Sequence, residues 1–176
     1  MLGRVTIVGV GNKLFGDDGA GTITVEVFGK CFKHGNVRFL SFETLDTSVL
    51  HVFEESELLV FVDAVTNIDE PRLYIVDPES AREEIVGMLR PFDPHHLDPM
   101  RLTILAYASG KLKSKVYLVG VPAKSLELGS KLSDETLKAI PKAVELLVKL
   151  LSRELSTPPD IDWRCITEKL NLAMIG

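Results

Sequence analysis

The sequence predicts a three-layer α/β domain built on a mostly parallel sheet. Three observations predict it. Runs rich in β-branched residues alternate with runs of helical periodicity along most of the chain. One run, Leu58 to Val62, is apolar at every position, as a central parallel strand covered on both faces requires. A glycine-rich turn, Gly9 to Gly21, joins the first strand to the first helix, and in open α/β sheets sites form outside such strand ends.

The elements follow in order. Arg4 to Val10 is a β-branched run bounded by glycines and reads as a buried strand. From Gly19 to about Phe32, the residues Ala20, Ile23, Val27, Phe28 and Cys31 recur at helical spacing. His34-Gly35-Asn36 ends that helix with turn residues. Val37 to Phe42 is the second strand, Thr47 to about Glu55 a helix, and Leu58 to Val62 the third strand. Leu73 to Val76 is a short edge strand, with helices near Pro78–Leu89 and Pro99–Ala108. Val116 to Val121 is the last clear strand. Ser133-Asp134-Glu135 caps a long amphipathic helix reaching about Glu154, with a local irregularity expected at Pro141. Thr157-Pro158-Pro159 breaks the chain. One domain over residues 1–156 is therefore expected, followed by a tail over 157–176 that either folds back on the body or is loosely attached.

Composition narrows the function. The chain has 176 residues, 45% hydrophobic and 26% charged, with a net charge of −5. Nucleic-acid binding needs clustered Lys and Arg, so nucleic acid is not an expected partner. No apolar run is long enough to span a bilayer, no signal-peptide pattern opens the chain, and a cytoplasmic protein is expected. Cys31 and Cys165 are far apart and belong to no C-x-x-C pair, so two reduced thiols are expected rather than a disulfide or a Cys-based zinc site.

The glycine turn carries an unusual charge. Gly11 and Gly16 have the spacing of a P-loop's glycines, but Asp17 and Asp18 stand where such a loop has Lys and Ser or Thr. Two carboxylates repel phosphate and attract a cation. Asp63 follows the most apolar strand, where an unpaired charge is costly to bury. His95 and His96 lie in a polar loop before a helix. Two carboxylates and an imidazole from separate loops make an open divalent-metal site suited to zinc, nickel, manganese or iron. Each residue also has a local reading. Asp17 reads equally as a helix N-cap, Asp18 as a complement to the helix dipole, Asp63 as a turn former, and the histidines as solvated loop residues. Glu43 stands where a dinucleotide fold places its ribose-binding acid, but the turn is not G-x-G-x-x-G.

With these residues in view, the chain resembles the nickel–iron hydrogenase maturation endopeptidases. Gly9-Val10-Gly11-Asn12-Lys13-Leu14-Phe15-Gly16-Asp17-Asp18-Gly19-Ala20-Gly21 is similar to the family's G-x-G-N-x-L-x-x-D-E/D-G-x-G. Phe61-Val62-Asp63-Ala64-Val65 resembles its apolar strand ending in V-D-A. Asp93-Pro94-His95-His96 resembles the segment of its metal-site histidine, and Leu118-Val119-Gly120-Val121-Pro122 with Glu127-Leu128-Gly129 and Leu132-Ser133 its closing strand and loop. The resemblance runs from about Val5 to Leu150. It implies a twisted, mostly parallel five-stranded sheet with helices on both faces. It also implies a peptidase that removes the C-terminal extension of a hydrogenase large-subunit precursor after nickel insertion.

By position, the resemblance places metal contacts and catalytic function on Asp18, Asp63 and His95, with His95 preferred to His96. Nickel is then supplied by the substrate, and the site is expected to accept other divalent metals such as zinc or cadmium. The implied partner is the large-subunit precursor, with neither nucleic acid nor membrane, and the protein is expected to act as a monomer. Two departures stand out. Glu43-Thr44-Leu45-Asp46-Thr47 replaces the family's Asp and Gly-Thr pair, leaving the roles of Glu43 and Asp46 open, and Asp93 replaces a small hydroxyl residue. Competing readings are a nickel-sensing or docking module that does not cut, a peptidyl-tRNA-hydrolase-like enzyme, and a nucleotide-binding domain. The acidic turn and net charge disfavour the last two.

Overall fold

The computed structural model describes residues 4–33, 35–78, 97–155 and 159–175. Its main sheet has five strands in the order β3-β1-β4-β6-β5. These are β1 (Val5–Val10), β3 (Val37–Phe42), β4 (Leu58–Val65), β5 (Arg72–Ile75) and β6 (Lys115–Pro122). The β1–β3, β1–β4 and β4–β6 pairs are parallel, and β5 runs antiparallel to β6 at the edge. The expected mostly parallel five-stranded sheet is therefore present. A separate two-stranded ribbon pairs β2 (Phe32–Lys33) with β7 (Asp160–Ile161).

Strand alternation sorts the core onto two faces. Val5, Ile7, Leu58, Val60, Val62, Val119 and Val121 point to one face. There they meet α1 (Ala20–Cys31), α4 (Asp134–Glu154) and α5 (Trp163–Ile175). Val8, Val10, Leu59, Phe61 and Val116 point to the other. That face is covered by the 3-10 turn η2 (Thr47–Leu50), α2 (His51–Glu55) and α3 (Pro99–Ala108). Leu58 to Val62 is fully buried, which explains why this run is apolar at every position.

Several elements differ from the sequence reading. β4 continues three residues past Val62, because parallel pairing with β6 extends from Leu58↔Lys115 to Val65↔Pro122. Asp63 is thus inside a strand, not after one. The segment Thr47–Glu55 opens as a 3-10 turn capped by Asp46, whose carboxylate accepts the Ser48 amide at 2.7 Å. α4 runs through Pro141 without interruption. The expected helix near Pro78–Leu89 falls, beyond Pro78, outside the described residues.

The cysteine expectation is overturned. Cys31 and Cys165 form a disulfide, with Cα atoms 5.6 Å apart. Their separation of 134 residues does not keep them apart, because α1 and α5 pack together. Ile166 and Leu170 of α5 are buried in the same core as Phe28 of α1. β7 pairing on β2, with Asp162 donating its amide to the Cys31 carbonyl at 3.2 Å, aligns the two ends. Sequence spacing detects local metal or redox motifs, not this long-range pairing.

Candidate functional site

The site lies at the carboxyl ends of β1 and β4, neighbours whose following connections lead to opposite sides of the sheet. This is the switch point at which ligands bind open α/β sheets. After β1 the chain enters a 3-10 segment, η1 (Lys13–Gly19), and then α1. Asn12 caps η1, its side-chain oxygen accepting the Leu14 amide at 2.9 Å. Gly11 has φ +117°, and a Cβ there would collide with the Asp18 carbonyl. Gly21 approaches the Val10 and Val62 carbonyls so closely that a Cβ would overlap both. The glycines therefore bring η1 and the start of α1 against the ends of β1 and β4. Thr22 adds a tie, its hydroxyl donating to the Gly11 carbonyl at 2.7 Å.

Within this frame the two turn aspartates separate. Asp17 is 0% exposed. Its carboxylate accepts the amides of Lys124 at 2.7 Å, Ser125 at 3.0 Å and Ser133 at 2.6 Å, and the Ser133 hydroxyl at 2.8 Å. Burial alone pushes this carboxyl up, but the bonds from Ser133, Lys124 and Ser125 together outweigh it and hold it below the ordinary value. The expectation that Asp17 caps its own helix is corrected. The N-cap position of α1 is Gly19, with no side-chain bond. Asp17 instead clamps the β6–α4 loop and the N-terminus of α4, whose own cap is Ser133.

Asp18 is half-buried and has a different partner. Its Oδ2 accepts the Asn12 amide at 2.6 Å, and Oδ1 has no bond among the described residues. Among the described residues Asp63, also half-buried, accepts only its neighbour Ala64's amide, at 2.8 Å. Burial pushes its carboxyl up to about 7, the Ala64 bond opposes this, and the negative charges of Asp18 and Asp98 add to the rise. The fold thus brings Asp18 and Asp63 within electrostatic reach of each other.

Asp98 was missed by sequence reasoning. It is the N-cap of α3, accepting the Arg101 amide at 2.8 Å, with Pro99 beginning the helix. An Asp-Pro pair ahead of a helical run signals a cap, and nothing in the sequence aims it at Asp63. His95, His96 and Asp93 lie outside the described residues. Leu97, which follows them, donates its amide to the Leu45 carbonyl at 3.0 Å. Glu43 is reached by the Asn12 side-chain amide at 3.4 Å. Among the described residues, no group of three or more His, Cys, Asp or Glu side chains forms a metal cage. The site gathers negative charge around Asp63, a carboxyl raised to near neutrality.

The sheet order and the two carboxylates at its switch point define a three-layer α/β frame with an acidic centre in place of a phosphate loop. A family model described as HycI, hydrogenase maturation protease, matches residues 25–150. The chain belongs to this hydrogenase maturation protease family and is a peptidase. It is 26% identical over 150 residues to the hydrogenase expression/formation protein HupD of Rhizobium leguminosarum bv. viciae, covering 84% of this chain and 74% of that one. The hydrogenase maturating endopeptidase HybD from E. coli superposes with a TM-score of 0.70 at 23% identity, over 86% of this chain and 93% of that one. The hydrogenase 2 maturation peptidase from Thaumarchaeota archaeon SCGC_AB-539-E09 gives 0.62 at 28% identity, over 84% and 97%. Among the described residues no helix is long and apolar enough to cross a membrane.

Proposed function

We propose that the protein removes the C-terminal extension of a nickel–iron hydrogenase large-subunit precursor after nickel insertion, reading the substrate's nickel through Asp18, Asp63 and His95. The observation that carries this reading is Asp63, a carboxyl raised to about 7 by burial and by the nearby charges of Asp18 and Asp98. Such a cluster is electrostatically incomplete without a cation. Three protein ligands leave nickel room for ligands from the precursor, so one ion bridges enzyme and substrate. Cutting then depends on metal loading.

Asp18 supplies a half-buried carboxylate whose orientation is set by the Asn12 amide. Asp63, ionised beside the cation, is the carboxylate assigned to take a proton from water as general base. A cation beside Asp63 favours its ionised form and lowers its pKa from the metal-free value. Nickel is the substrate's own metal here, and other divalent ions such as zinc or cadmium are accepted by the same donor set. The expected partner is the precursor, met by a monomeric enzyme in the cytoplasm.

The test is mass spectrometry of a nickel-loaded precursor incubated with the wild type and with Asp18→Asn, Asp63→Asn and His95→Ala. Each variant is expected to lose at least about a hundredfold in rate with its far-ultraviolet circular dichroism unchanged. Full cleavage by Asp63→Asn removes the reading. Binding of precursor by the wild type without any cut replaces it with a nickel-sensing docking module.

A further inference from the structure

A groove of about 660 Å³ opens beside η1, on the sheet face that carries α1 and α5, and neither Asp18 nor Asp63 lines it. Its walls come from η1, α1, the loop over 129–132 and α5. Four lysines line it, Lys13, Lys30, Lys131 and Lys169, against the single acid Glu26. Lys13 is neutralised, its Nζ lying 2.7 Å from both Glu26 oxygens. Lys30, Lys131 and Lys169 form no ion pair among the described residues. Three unpaired cations thus converge on one groove in a chain of net charge −5. Like charges gathered this way favour an anionic occupant.

The groove also offers apolar anchors. Leu14 is 64% exposed and Leu172 61% exposed, one on η1 and the other on α5. The Gly129 amide donates to the Leu14 carbonyl at 2.7 Å, fastening the loop to η1, and Leu128, next to Gly129, is 71% exposed. Large aliphatic side chains held out in water beside unpaired lysines have the composition of a protein-binding surface. No aromatic side chain lines the groove among the described residues, so it lacks the stacking platform of a single-strand nucleic-acid site.

We propose that this groove docks an acidic segment of the large-subunit precursor that also carries apolar side chains, apart from the segment that is cut. This rests on the precursor reading above. Lys169 and Leu172 lie on α5, beyond the residues 25–150 that match the family model. The disulfide and the β2–β7 ribbon hold that helix in place. Two walls of the groove therefore fall outside the matched segment, η1 before it and α5 after it. η1 carries the glycine-turn motif that resembles the family's and α5 carries none of those motifs, so the α5 wall selects which precursor is accepted.

The experiment compares the wild type with the triple variant Lys30→Glu, Lys131→Glu, Lys169→Glu. Binding of fluorescently labelled precursor and its cleavage are measured separately, at about 50 mM and about 300 mM salt. The expected result is a rise of about tenfold or more in Kd and KM for the variant at low salt, with kcat within about twofold. Wild-type affinity should weaken with salt while the variant's stays flat. Leu172→Asp should weaken binding at both salt concentrations. Equal binding by wild type and triple variant overturns the groove. Binding lost in the variant, with no cleavage by the wild type, keeps the groove and removes the earlier reading; no binding by the wild type removes both. Wild-type capture of a single-stranded oligonucleotide in competition with precursor, lost in the variant, overturns the proposal in favour of nucleic acid. Thermal melting checks each variant's fold, and Lys131→Glu alone, on an exposed loop, serves if the triple variant is unfolded.

Discussion

Replacing Asp17 should damage the fold far more than replacing its neighbour Asp18. Asp17 is 0% exposed, and its carboxylate serves three backbone amides and one hydroxyl. A hydrogen bond to a charged acceptor contributes about 1.5–3 kcal/mol, and a buried donor left unmatched costs about 1–3 kcal/mol. Lys124 is itself exposed, so part of its loop regains water when the carboxylate is removed. Asp17→Ala should therefore cost about 3–5 kcal/mol in total, not the sum of four full bonds. In a chain of this size that is a fall of about 10 °C in Tm. Asp18→Ala, which removes one bond from the Asn12 amide, should cost about 1 kcal/mol.

The sign with pH follows from the lowered pKa of Asp17. Its ionised form is the one the fold prefers, so its stabilisation is present above the unfolded value near 4 and is lost as pH falls through the folded value. The gap between the wild type and Asp17→Asn should be wide at neutral pH and close as pH falls through the lowered folded value. Urea unfolding followed by circular dichroism at a series of pH values measures it. A Tm for Asp17→Ala within about 2 °C of the wild type, or a gap that widens in acid, would refute the clamp.

Other outcomes are expected. Asp63 is raised to about 7, so in the metal-free protein its favourable contribution is full below about pH 4 and lost as pH rises through 7. Asp63→Asn should thus stabilise the metal-free protein at pH 8 by a few kcal/mol, on the order of 2–4, and much less at pH 4, as read by calorimetry with chelator present. A destabilised variant at pH 8 would contradict the burial and charge argument. Cys31→Ser should lower stability by about 2–5 kcal/mol, since the disulfide closes a long loop in the unfolded chain. A thiol reductant should lower the wild-type Tm and leave the variant unmoved, and an unchanged wild-type Tm would show that the bond contributes nothing.

Local chemistry made much of the molecule readable from its residues. An all-apolar run of five, Leu58 to Val62, cannot face water on either side and reads as a central strand. Glycines at 11 and 21 with acids at 17 and 18 describe a tight turn that shuns phosphate. Ser133 with Asp134 and Glu135 announces the start of α4, and an Asp next to that apolar strand is conspicuous because an unpaired charge is costly there.

What the residues alone determined, then, was the α/β class, the switch-point location of the acids and the resemblance that joined them. Tertiary structure decided how each acid is used. Asp17 and Asp18 are adjacent in sequence, yet one is bonded to amides 107 to 116 residues away, while the other accepts the Asn12 amide and lies near enough for its charge to raise Asp63. Nothing periodic encodes that difference, because it depends on which loops the closed sheet brings together. Asp98 acts on Asp63 and Cys31 meets Cys165 for the same reason. Periodicity reports which face of an element is buried, and only packing decides what that face meets.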